Sequence, residues 1–110
     1  MSRRVQCKSS IEIVLNRCWG GFGLSRKGMA RLLELGFPLT EGDTKWYPQA
    51  VAEEGYFCYD PTGLERHDPR LVQVVRELGA EANGSSAKLE IVTVYSGYEF
   101  KDHDGRESLI

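Results

Sequence analysis

Three glycines within four positions, Gly20, Gly21 and Gly23, stand between a β-branched run and a helix start. This spacing constrains the chain more than any other feature. Glycine accepts positive φ, where other residues are strained, so the glycines predict a tight loop. Upstream, Ile11-Glu12-Ile13-Val14-Leu15 is β-branched and mostly apolar, which predicts a strand inside a sheet. Downstream, Ser25 is a good N-cap. Met29, Leu32 and Leu33 then recur at helical spacing, and Gly36 and Pro38 end the helix.

The rest of the chain alternates in the same way. Glu41-Gly42-Asp43 reads as a turn, and Gln49 to Glu54 as a short helix closed by Gly55. Tyr56-Phe57-Cys58-Tyr59 favours a strand through its aromatics, and Asp60-Pro61-Thr62-Gly63 a turn. Asp68-Pro69 starts a helix whose apolar face carries Leu71, Val72, Val74, Val75 and Leu78, with Gly79 as its end. Ala87 to Tyr95 reads as a buried strand. Asp104-Gly105, between Tyr98-Lys101 and Glu107-Ile110, reads as the turn of a hairpin. The expected fold is α+β: two helices on one face of a mixed, mostly antiparallel sheet of about five strands. At 110 residues this is one domain, 1–110, with 1–10 as a flexible or edge segment.

Composition narrows the function. A net charge of -2 gives no global basic field, so neither DNA nor RNA is an expected partner. No apolar run approaches the roughly 18 residues of a membrane span, and Met1 to Val5 opens no secretory signal. Cys7, Cys18 and Cys58 are odd in number and widely spaced, a poor disulfide framework. With His67 and His103 far from any cysteine, no zinc ligand set is spaced correctly. These features predict a cytoplasmic protein with no membrane contact, no metal and no cofactor.

The glycine loop is the first candidate site. A loop at a helix N-terminus offers N–H groups to an anion. Arg26 and Lys27 in the first turn oppose the helix dipole, a conflict that a bound phosphate would relieve. Trp19 and Phe22 would supply aromatic faces for a base. The competing reading is a tight turn that lets helix and sheet pack closely. The second cluster is Arg66-His67-Asp68-Pro69-Arg70. His67 beside an acid suggests a base pair, and Arg66 and Arg70 a phosphate grip; the competing reading is a capped helix with solvated charges. No nucleophile or paired acid and base stands out, so no catalytic residue is expected.

Several of these segments together resemble a family of short proteins found in tailed-phage genomes and related mobile elements. They are the Gly20-to-Ser25 loop with its GGFGLS sequence, Leu78-Gly79 followed by Ala82-Asn83-Gly84, Leu89-Glu90-Ile91-Val92, and Asp104-Gly105-Arg106-Glu107. The resemblance implies a viral accessory protein in the host bacterial cytoplasm and carries no enzyme activity. Two functions fit. One is a counter-defence protein, expected as a homo-oligomer, that sequesters a phosphate-containing small molecule such as a nucleotide immune signal. Its ligand-binding residues would be Trp19, Gly20, Gly21, Phe22, Gly23, Ser25, Arg26, Arg66, His67 and Arg70. The alternative is an inhibitor that binds a host defence or metabolic enzyme.

Overall fold

The computed structural model describes residues 10–94, 101–103 and 105–109 in full, and the backbone of 2–5 and 98–100. The fold is α+β. The expected sheet of about five strands is in fact two sheets, antiparallel throughout. β2 (Ile11–Asn16) pairs with β3 (Leu89–Val94), from Ile11 opposite Val94 to Asn16 opposite Leu89. In the second sheet β4 (Tyr98–His103) lies between β1 (Ser2–Val5) and β5 (Arg106–Leu109). The β4–β5 hairpin turns where the Asp-Gly pair predicts. Gly105 takes φ 90°, and Asp104 lies outside the described residues.

The split has its cause at the edge of β2. The outer edge of β2 is occupied, though not by a strand. Val14 N–H donates to the Arg66 carbonyl at 2.8 Å, and Asn16 N–H donates to the Glu107 carboxylate at 3.1 Å. β5 therefore meets β2 through a side chain where a ladder would otherwise form.

Among the described residues there are three α-helices: the two expected on the sheet, and one that takes in most of the short helix expected at Gln49–Glu54. α1 (Arg26–Glu34) is capped by Ser25, whose hydroxyl accepts from Gly28 N–H. α3 (Pro69–Leu78) starts at the Asp68 cap with proline in its first turn, and runs into a 3-10 turn at Gly79–Ala82. The helix that takes in the Gln49 segment, α2 (Glu41–Ala52), begins earlier than expected, in the segment read as a turn. Thr40 caps it, and Glu41 and Asp43 lie in its first turn, where negative charge suits the dipole. Pro48 inside the helix obscures this pattern in the sequence.

The expected strand at Tyr56–Tyr59 is only an isolated bridge between Tyr59 and Leu24. Phe57 instead exchanges hydrogen bonds with the Ser85 backbone and hydroxyl, so this segment joins two loops. β3 is shorter than the expected 87–95 strand, and Tyr95 lies outside the described residues.

β2 is buried on both faces, as its unbroken apolar run requires. Val14 joins Leu24, Met29, Leu32, Leu71 and Val74 in the main core beneath α1 and α3. Ile13 and Leu15 form a second cluster with Val94 on the opposite face.

Candidate functional site around the glycine loop

The glycines mark a crossing of chain segments. A Cβ added at Gly20 would lie 2.3 Å from Ser86 Cβ, and one at Gly23 2.3 Å from Cys58 Sγ. One at Gly84 would lie 2.5 Å from the same sulfur, and one at Gly105 2.3 Å from Gly21 N. Only backbone without side chains lets these segments approach so closely. Gly21, at φ 105°, needs glycine for its conformation as well.

The crossing occupies three of the backbone donors near the start of α1. Leu24 N–H donates to the Tyr59 carbonyl at 2.8 Å, and Ser25 N–H to the Ala82 carbonyl at 2.9 Å. Gly28 N–H is held by the Ser25 hydroxyl, which itself donates to the Glu81 carbonyl.

The arginines diverge. Arg26 donates to the Glu53 and Gly55 carbonyls and lies over the Phe57 ring. It thus neutralises the C-terminal end of α2, which resolves the conflict read from its position in α1. Lys27 pairs with Glu81 at 2.9 Å. Arg70 pairs with Asp68 at 2.8 Å and donates to the Gly36 carbonyl just beyond the other end of α1. At about 1.5 Å per residue, the two ends of that helix stand about 12 Å apart. The two guanidinium groups bond carbonyls of different segments.

Arg66 belongs to a buried polar cluster. It grips Glu107 through Nε, at 2.9 and 3.1 Å, and through a terminal nitrogen at 2.5 Å. Its guanidinium carbon lies 3.7 Å from the centre of the Phe22 ring. Glu107 is 1% exposed. Asn16, also buried, ties this cluster to the hairpin. Its amide donates to the Cys18 and Gly105 carbonyls, and its side-chain oxygen accepts from Cys18 and Lys88 N–H.

His67 lies apart from the glycine loop. It lines an open groove of about 540 Å³ with Ile11, Glu12, Val72 and Arg76. Asp68, its expected partner, is bonded to Arg70 and also feels the charge of His67. Burial acts to raise the Asp68 pKa, but the Arg70 hydrogen bonds and charge outweigh it and hold the carboxyl low.

Asp43 is a second anchor. It accepts from Tyr59 Oη at 3.0 Å, Thr62 N–H at 2.7 Å and Thr40 Oγ1 at 3.2 Å. Burial opposes ionisation, and these bonds overcome it, so the Asp43 pKa falls below the usual range. Burial and the Asp43 contact push Tyr59 up to about 12. The neighbouring Asp60 keeps access to solvent, yet protein crowding raises its pKa to about 6. Arg66 opposes that rise, and Glu107 and Asp43 add to it.

What the crossing presents outward is aromatic. Trp19 is 57% exposed and Tyr56 68%. Tyr56 Oη and Ser86 Oγ are 2.6 Å apart, and Ser86 Oγ donates to the Gly20 carbonyl at 3.1 Å. On its other side Trp19 meets His103 edge-on at 5.6 Å and carries the Arg106 guanidinium at 5.5 Å. Tyr56, Ser86, Trp19, His103 and Arg106 thus form one face. Of these, sequence reading singled out Trp19 alone. The others come from three distant segments, and no local signal links them.

Cys18 and Cys58 are free thiols, and Cys7 lies outside the described residues. Among the described residues no cluster of acids, histidines and cysteines could hold a metal, and no helix is long and apolar enough to cross a membrane. Neither a family model, nor a curated protein, nor a solved structure matches the chain.

Proposed function

We propose that this chain is a non-enzymatic accessory protein of phage type that binds another protein through its Trp19–Tyr56–Arg106 face. The observation that carries the reading is the exposure of two large aromatics on a closely packed backbone crossing. Tryptophan, tyrosine and arginine dominate binding hot spots, because they desolvate large areas while keeping a polar handle. A rigid platform also lowers the ordering cost of association. Arg106 makes one end of the face positive, and Glu53 and Glu54 flank the Tyr56 end. The partner therefore presents an apolar pocket or ridge to Trp19 and a carboxylate to Arg106. A host defence or metabolic enzyme is the proposed target class.

Sequestration of a nucleotide has weaker support. Leu24, Ser25 and Gly28 N–H are already bonded, and Arg26, Arg66 and Arg70 each bond a different group of this chain.

The test places a photo-crosslinking amino acid at position 19, at 56, or at exposed Gln73 on α3 as control, in bacteria that host the phage. One discrete adduct shared by 19 and 56 and missing at 73 supports the reading. No adduct at 19 and 56, or the same adducts at all three, overturns it. A nucleotide retained in native mass spectra and lost in Arg26→Glu would restore the sequestration reading.

A further inference from the structure

The far edge of β3 carries backbone groups that are complementary to a copy of themselves. Arg17 N–H donates to the Lys88 carbonyl at 2.7 Å, which sets the phase of the β2–β3 ladder. By alternation the pairs Leu15–Glu90, Ile13–Val92 and Ile11–Val94 face each other. The residues between them point outward. On β2 these are Val14 and Asn16, whose amides are bonded to Arg66 and Glu107. On β3 they are Leu89, Ile91 and Thr93. Leu89 N–H donates to the Asn83 side chain at 2.9 Å. Ile91 and Thr93 have no such partner among the described residues, and no strand pairs with this edge.

We propose that β3 pairs antiparallel with β3 of a second copy, centred on Val92, giving a continuous sheet β2-β3-β3-β2. In this register Ile91 lies opposite Thr93 of the second copy, and every free N–H of these residues meets a free C=O. Side chains agree with it. Ile91–Thr93 and Val92–Val92 are β-branched cross-strand pairs, and Glu90 falls opposite Val94. Two other registers are worse. Centring on Ile91 would call on the Leu89 N–H that Asn83 already holds. Centring on Glu90 would set two carboxylates face to face. This interface is separate from the proposed partner-binding face, so either can fail alone.

The full chain is examined by light scattering over a dilution series, and backbone amide exchange is read in the same samples. Glu90 and Val92, bonded to β2, serve as internal controls. The expected result is a dimer in which Ile91 and Thr93 exchange about tenfold or more slowly than in the diluted monomer. Thr93→Pro removes an edge donor that the β2–β3 ladder does not use, so it should give a monomer with Glu90 and Val92 still protected. A monomer at every concentration overturns the proposal. So does a dimer with Ile91 and Thr93 unprotected, and so does protection that arises only when a different protein is added.

Discussion

Glu107→Gln should be among the most destabilising single changes that keep side-chain size. Glu107 is 1% exposed and accepts from Arg66 and from Asn16 N–H. The Arg66 side chain is itself only 13% exposed. The substitution leaves a buried guanidinium facing an amide whose NH2 group it cannot bond. Removing one partner of a buried pair costs about 3–5 kcal/mol. A domain of this size has about 5–15 kcal/mol in all, so the variant sits near the edge of folding. With a urea m-value of about 2 kcal/mol/M, the midpoint falls by about 2 M.

The complementary test replaces both partners, as Arg66→Met with Glu107→Leu. Charge burial then disappears, but Asn16 N–H still lacks its acceptor, at about 1–3 kcal/mol. The double variant should therefore be more stable than Glu107→Gln, although it alters two sites. Urea unfolding followed by tryptophan fluorescence, with m unchanged, reads both. A cost below about 1 kcal/mol for Glu107→Gln would refute the reasoning, because that is the range of a solvated surface pair.

Other outcomes follow from the same geometry. Gly84→Ala should destabilise by about 2 kcal/mol or more in urea titration, because its methyl would overlap Cys58 Sγ, Cβ and Cα. Gly42→Ala, whose methyl meets only Thr40 Oγ1 at 3.9 Å, should instead stabilise α2 by up to about 1 kcal/mol. The Asp43 pKa is lowered in the fold, so its contribution is present above the unfolded value of about 3.9 and fades as pH falls below it. Urea midpoints at low pH should show this loss in the parent chain and not in Asp43→Asn. Asp60 works in the opposite sense. Its pKa rises to about 6, so between about pH 4 and 6 the folded state holds a proton that the unfolded chain has released, and stability declines as pH rises. Asp60→Asn should abolish that decline and stabilise the protein at pH 7, by no more than about 1 kcal/mol because water screens the exposed carboxyl.

The elements readable in the sequence are those specified by short-range chemistry. β2 follows from a β-branched apolar run, α1 from Ser25 and its periodic leucines, and α3 from Asp68-Pro69. The hairpin is fixed by a turn that needs positive φ at Gly105. In each case the nearest neighbours decide the backbone, whatever lies across the molecule. Only the C-terminal part of α2 is readable, as a short helix from Gln49, because Pro48 breaks the pattern before it, although Thr40 and Asp43 mark its start.

Long-range pairing decided the rest. The sheet divides because a buried carboxylate and a loop carbonyl, 91 and 52 positions from the amides they accept from, took the β2 edge first. Arg26, Arg66 and Arg70 appear in the sequence as a basic group waiting for an anion. In the fold each finds carbonyls or a carboxylate of this chain, because unpaired charge near the interior is costly and internal acceptors are close at hand. The glycines likewise read as a loop, yet what they permit is contact between segments that only the tertiary structure brings together. Sequence thus set where the backbone bends and which faces are apolar. Tertiary structure chose the partner of each charge, and so left Trp19, Tyr56 and Arg106 facing outward together.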